Sequence, residues 1–134
     1  MHAGQKRAHG APYFEHPKAV ARILWDRGYR GDVILAAYLH DTIEDCGVTA
    51  AMLLANFGPG VAGLVCAVTH PKGEPLGDYY RRVKRHGPDA MALKLADRDH
   101  NNSELHLLPL SRHRIVGKAR VKTALMLKIF NEPA

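Results

Sequence analysis

The chain has 134 residues, which sets the expectation of one domain built on a single hydrophobic core. Hydrophobic residues make up 46% and charged residues 24%, the balance of a folded globular protein, and no apolar run approaches the ~20 residues that cross a bilayer. A formal charge of +6 favours anionic partners without choosing between nucleotides, nucleic acid or none in particular.

The opening residues, MHAGQKRAHG, are polar and basic with no apolar segment behind them. They do not read as a secretory signal, and the expected compartment is the cytoplasm. Cys46 and Cys66 form no CxxC pair and read as small apolar residues, not as thiolate ligands.

Period-two alternation is missing and helical spacing recurs. Pro17 suits the first turn of a helix running to about residue 26, with Val20, Ile23 and Leu24 on one face and Gly28 as its stop. A second helix starts near Asp32 and continues through VILAAYLHDTIED to Gly47. Thr49 caps a short helix, TAAMLLANF, closed by Gly58. After Pro59, the set Val61, Leu64, Val65 and Val68 has i, i+3, i+4, i+7 spacing and ends at His70-Pro71. Residues 71–75 read as a loop, and 76–86 as a polar surface helix broken at Gly87-Pro88. Asp89 caps the next helix, DAMALKLADRDHN, and Ser111 a last one reaching about Phe130. About seven short helices with brief loops make an all-α domain over residues 1–134.

His40, Asp41, Glu44 and Asp45 interrupt the apolar second helix. Residues four apart share a helix face, so Glu44 falls one turn from His40 and Asp45 one turn from Asp41. Three carboxylates crowded together repel, and burying them without a cation costs on the order of several kcal/mol. Either a divalent ion relieves that, or the segment is a solvated acidic helix end. Asp97 and Asn101 lie four apart on a helix that is apolar upstream at Met91, Leu93 and Leu95. Asp97 reads as a ligand or as a polar edge residue. His16, directly before a proline at a helix start, is a third candidate.

Four ordered blocks span roughly residues 2–101: HAGQKRAHGAPYFEHPKAVARIL, AAYLHDTIEDCGVTAAMLLANFG, VAGLVCAVTH and ALKLADRDHN. Through them the chain resembles the HD-domain hydrolases of the RelA/SpoT type, especially the stand-alone small alarmone hydrolases. The resemblance implies an HD-domain bundle of about six or seven short helices. It implies removal of the 3′-pyrophosphate from guanosine tetra- and pentaphosphate with manganese. It puts metal ligands at His16, His40, Asp41 and Asp97, a catalytic acidic pair at Glu44 and Asp45, and substrate contacts at Arg7 and Asn101. Nitrogen and oxygen donors without sulfur suit Mn²⁺, with Fe²⁺, Co²⁺ or Mg²⁺ as alternatives. Glu44 or Asp45 could deprotonate a water or protonate the leaving oxygen, and the residues do not say which does which. Lys6 and Lys94 are further candidates for holding an anionic substrate, although a solvated surface lysine is the first reading of each.

The chain departs from the family pattern in places. The family normally has a helix ahead of the HxGQxR segment, whereas here Met1 sits next to His2; the expectation is that this helix is dispensable or that its packing surface is covered by another subunit of a homo-oligomer. Asp99, Asn102 and Ser103 stand where the family carries Leu, Leu or Met, and Arg, so recognition of guanine or its phosphates is expected to differ. Residues 103–134 match loosely. The alternatives are the same chemistry on (p)ppApp, NADPH or a deoxynucleoside monophosphate, or a non-catalytic nucleotide- or RNA-binding module on the same scaffold. The intact Glu44-Asp45 pair argues against the last.

The remaining histidines read as exposed, with His100, between Asp97 and Asn101, the exception. RRVKRH at 81–86 and the basic residues Arg112, Arg114, Lys118, Arg120 and Lys122 read first as solvated helix faces, with a phosphate-steering field as the intermediate option and nucleic-acid contact as the other. No nucleic-acid motif accompanies them, so neither nucleic acid nor a membrane is an expected partner. Tyr79 and Tyr80 read as core, and Trp25 as core or interface.

Overall fold

A computed structural model describes residues 15–41, 47–105 and 113–133, with 113–115 in backbone only. These residues form six helices and no strand: α1 (Glu15–Asp26), α2 (Asp32–Leu39), α3 (Ala50–Val68), α4 (Leu76–His86), α5 (Pro88–Ser103) and α6 (His113–Phe130). The all-α reading holds.

Local chemistry sets the helix ends. Gly28 adopts a φ of 94°, the left-handed residue of a Schellman cap. There the Gly28 N–H donates to the Trp25 carbonyl and the Tyr29 N–H to the Leu24 carbonyl, each at 3.0 Å. Thr49 caps α3 through its Oγ1, which accepts from the Met52 N–H at 3.1 Å. α3 is two helices joined at a kink, where Gly58 takes φ 87° and ψ 172° ahead of Pro59.

The uncharged run Ala50–Val68 is 19 residues, longer than the sequence reading allowed for and long enough by composition to cross a membrane. The kink divides it, and Leu53, Val61, Leu64 and Val65 are buried in the core. Each fully buried Leu or Val adds about 1.5–3 kcal/mol to folding.

α5 is the central helix and packs against all five others. Its buried Ala90, Ala92 and Ala96 allow that close approach, and Leu93 fills the core between them. It starts at Pro88 in the first turn, with Gly87 rather than Asp89 at the cap position.

α4 is not the surface helix its composition suggests. Tyr79, Tyr80 and Val83 are almost completely buried on its inner face, while the charges lie outward. Arg82 ties the end of α3 to the following loop. Its guanidinium donates to the carbonyls of Cys66, Ala67 and Thr69 at 3.1, 3.0 and 2.8 Å, and pairs with Glu74 at 2.9 Å. Lys84 donates to the Ile129 carbonyl at 3.0 Å and to that of Glu132, satisfying the end of α6. Trp25 is 51% exposed and so does not belong to the core. The Arg30 guanidinium covers it 3.4 Å from the ring centroid.

Candidate metal centre

α1 carries His16 in its first turn, and the middle of α5 supplies Asp97. His40 and Asp41 come from the turn after α2, which stops at Leu39 and does not continue through them as the sequence pattern predicts. Both histidines and Asp97 are buried, and Asp41 is partly buried. His16 Nε2 lies 2.7 Å from Asp97 Oδ1 and 3.9 Å from Asp41 Oδ2. His40 Nε2 lies 3.2 Å from each of the same two oxygens. One ligand atom from each of the four residues falls within 4.8 Å of every other.

Donors held at about 2.1 Å from one divalent cation, at right angles, stand about 3 Å apart. The spacing here suits that. The His40 ring is also set for it: its Nδ1–H donates to the Ala37 carbonyl at 2.6 Å, which turns Nε2 toward the two carboxyl oxygens. The two carboxyl oxygens of Asp97 divide their work. Oδ1 faces the histidines, while Oδ2 receives the Lys94 ammonium at 3.1 Å. These four residues could therefore hold a divalent metal with nitrogen and oxygen ligands.

Burial alone would push His40 down, but the carboxylates of Asp41 and Asp97 outweigh it and hold the imidazole well above its usual value. Burial would likewise push Asp97 up. Lys94 first, then His16 and His40, hold it well below the ordinary carboxylate range. For Lys94 the desolvation is again outweighed by Asp97, and its ammonium is raised. Lys94 is thus no solvated surface lysine. Its side chain is 15% exposed and anchors a member of the cluster.

Behind His16 stands a group the sequence reading half found. His100 Nδ1 lies 2.7 Å from His16 Nδ1 and 3.3 Å from Glu104 Oε1. Glu104 was missed, although its i+4 spacing from His100 is visible in the sequence. Asn101 Nδ2 sits 3.5 Å from Asp97 Oδ1, at the edge of hydrogen-bond range. Lys6, Arg7, Glu44 and Asp45 lie outside the described residues.

Of the departures from the family pattern, Asp99 pairs with Arg27 at 2.6 Å on an exposed face, and the Ser103 hydroxyl bonds the His100 carbonyl at 2.7 Å. Asn102 ties α5 to Thr123 of α6 at 3.1 Å. All three have contacts within the protein, and none lines the cavity described next.

A cavity of about 160 Å³ opens beside His40, Asp41 and Asp97, walled by Tyr80, Lys94, Arg98 and Lys122. Arg98 and Lys122 were not among the candidate site residues. They come from different helices, α5 and α6, so only the tertiary fold places them together.

A helical bundle that draws two histidines and two aspartates from three stretches of chain to one point is the build of an HD-type domain. The chain belongs to that family: the family model described as HD domain matches residues 1–76. It is 41% identical over 107 residues to the guanosine-3′,5′-bis(diphosphate) 3′-pyrophosphohydrolase MESH1 of Danio rerio, covering 75% of this chain and 59% of that protein. It is 38% identical over 117 residues to a probable GTP pyrophosphokinase of Mycobacterium leprae, covering 81% of this chain and 15% of the relative. A guanosine-3′,5′-bis(diphosphate) 3′-pyrophosphohydrolase of Vibrio cholerae is 36% identical over 127 residues, covering 87% of this chain and 18% of the relative. The chain therefore spans less than two thirds of the length of these curated relatives.

Among solved structures, that of a metazoan ortholog of SpoT that hydrolyzes ppGpp superposes with a TM-score of 0.75 at 26% identity, covering 96% of this chain and 84% of that one. A Listeria monocytogenes protein superposes with a TM-score of 0.63 at 37% identity, covering 72% and 64%.

Proposed function

We propose that the chain is a phosphohydrolase that uses a divalent metal, Mn²⁺, to remove the 3′-pyrophosphate from guanosine tetra- or pentaphosphate. The observation that carries this reading is the meeting of His16, His40, Asp41 and Asp97 within one ligand shell. The names of the relatives in Danio rerio and Vibrio cholerae support the substrate.

When bound, the ion supplies Lewis acidity, polarising a phosphoryl oxygen and lowering the pKa of a water. The chain does the rest. His16 and His40 would offer their Nε2 atoms to the ion, with the His40 ring oriented by the Ala37 carbonyl. Lys94 keeps Asp97 ionised, so the carboxylate remains a donor and does not take up a proton. Glu44 and Asp45 follow closely on Asp41 in the chain. One of them moves the proton of the attacking water, or returns a proton to the 3′ oxygen as the pyrophosphate leaves. Arg7, Lys6 and Asn101 contact the nucleotide. The enzyme would act in the cytoplasm, in the stringent response.

The test is turnover of guanosine tetraphosphate by Mn²⁺-loaded protein. GDP and pyrophosphate in equal amounts are expected. Release of orthophosphate, or no turnover beside activity on NADPH or (p)ppApp, would move the substrate elsewhere.

A further inference from the structure

The cavity beside the metal centre is walled by three cations, and only one has a carboxylate partner among the described residues. Lys94 is neutralised by Asp97. Arg98 is 8% exposed, and its single hydrogen bond there runs from Nη2 to the Ala119 carbonyl at a long 3.4 Å. Its Nε is buried and has no hydrogen-bond partner among the described residues. Lys122, one turn beyond Ala119 on α6, lines the same cavity and pairs with no carboxylate among the described residues. Burial, then the positive charges of Arg98, Lys94 and Lys118, push the Lys122 ammonium below its usual value.

A desolvated guanidinium without a counter-charge is costly, and a second unneutralised cation beside it adds repulsion. An anion seated between them removes both penalties. The size of the cavity limits which anion. At about 160 Å³ it is smaller than the about 300–1,000 Å³ of pockets that enclose a whole drug-sized ligand. It therefore takes the phosphate end of a ligand, with its base and sugar lying elsewhere. An Arg fork matches phosphate oxygens in a plane, and a Lys on a flexible stem adds a point charge. A nucleic-acid backbone fits less well, because Arg98 is buried inside the wall and not displayed on a surface.

We propose that Arg98 and Lys122 form a diphosphate subsite beside the metal centre, which takes the pyrophosphate group that leaves the substrate. This deepens the phosphohydrolase reading and rests on it.

The test titrates inorganic pyrophosphate calorimetrically into the full chain after metal has been removed by dialysis, so that binding through a metal does not contribute. It is repeated with Arg98→Met, Lys122→Gln, Lys122→Arg and the exposed control Lys128→Gln. Loss of a charged hydrogen-bond donor lowers affinity by about tenfold or more. Arg98→Met and Lys122→Gln are each expected to show that loss. Lys122→Arg should keep most of the binding, and Lys128→Gln all of it. Lys122 is exposed enough that its variants test the subsite even if Arg98→Met does not fold.

Pyrophosphate affinity unchanged in Lys122→Gln and Arg98→Met overturns the proposal, as does absence of pyrophosphate binding by the wild type. The two readings also fail separately. Pyrophosphate binding through these residues without turnover of guanosine tetraphosphate keeps the subsite and removes the substrate. Turnover with pyrophosphate affinity and KM unchanged in both variants keeps the substrate and removes the subsite.

Discussion

The Nδ1 of His16 lies 2.7 Å from the Nδ1 of His100, with the two rings stacked 4.9 Å apart. Two ring nitrogens at that distance share one proton, one donating and the other accepting. If His16 gives its Nε2 electron pair to a metal, its Nδ1 must carry the proton and His100 must accept it. The His100→Ala variant removes that acceptor. A lost contact of this kind lowers metal affinity by about 10–100-fold. Competition with a chelator of known affinity measures it, and His100→Gln should restore part of the binding. Equal affinity in wild type and His100→Ala would show that the contact does not orient His16.

Lys94 and Asp97 form a second testable pair, at 3.1 Å and both largely buried. Replacing Lys94 with Met keeps the stem and leaves the Asp97 carboxylate without its cation. Breaking a buried pair from one side costs about 3–5 kcal/mol, against about 0–1 kcal/mol for a pair in solvent. Urea unfolding of metal-free Lys94→Met should show a loss in the first range. A loss in the second range would mean that water already screens the pair.

The Glu74–Arg82 pair carries a pH signature. Arg82 hydrogen bonding holds the Glu74 carboxyl below its usual 4.5, against a smaller opposing effect of burial. A carboxyl depressed in the folded state adds stability above its unfolded value, and that stability disappears as pH falls through the lowered folded value. The melting-temperature gap between wild type and Glu74→Gln should therefore be largest near neutrality and shrink below about pH 4. A gap that stays constant from pH 7 to pH 3 would contradict this account of the loop.

Metal loading should raise the melting temperature. A ligand that binds only the folded state adds about 2.7 kcal/mol at a concentration 100 times its Kd. The Asp41→Ala variant, with one carboxylate fewer, should lose most of the Mn²⁺-dependent shift and keep the melting temperature of the metal-free protein. A shift of full size in Asp41→Ala would exclude this residue from the ligand shell.

Much of the helical frame was legible because its punctuation is local. Gly28, Thr49 and the Gly58-Pro59 kink act through their own backbone and nearest neighbours, so residue type alone announces them. α4 was misread because its Arg, Lys and Asp residues mask the inward stripe of Tyr79, Tyr80 and Val83. Lys94 was misread because a lysine is usually solvated, while its carboxylate partner three residues on pulls this one into the protein. His40 and Asp41 were visible as polar residues closing an apolar segment. His16 and Asp97 needed the family pattern, since no local feature reports that α1 and α5 meet. Lys122 was visible only as one of several basic residues, and nothing local paired it with Arg98, because their proximity arises only when α6 packs over α5.

The central claim is that four side chains surround one divalent cation, and anomalous diffraction from crystals grown with Mn²⁺ tests it most directly. The account predicts one strong manganese peak within about 2.0–2.4 Å of His16 Nε2, His40 Nε2 and a carboxyl oxygen of Asp41 and of Asp97. No peak among these four residues at saturating Mn²⁺, or a peak bound elsewhere, would contradict it.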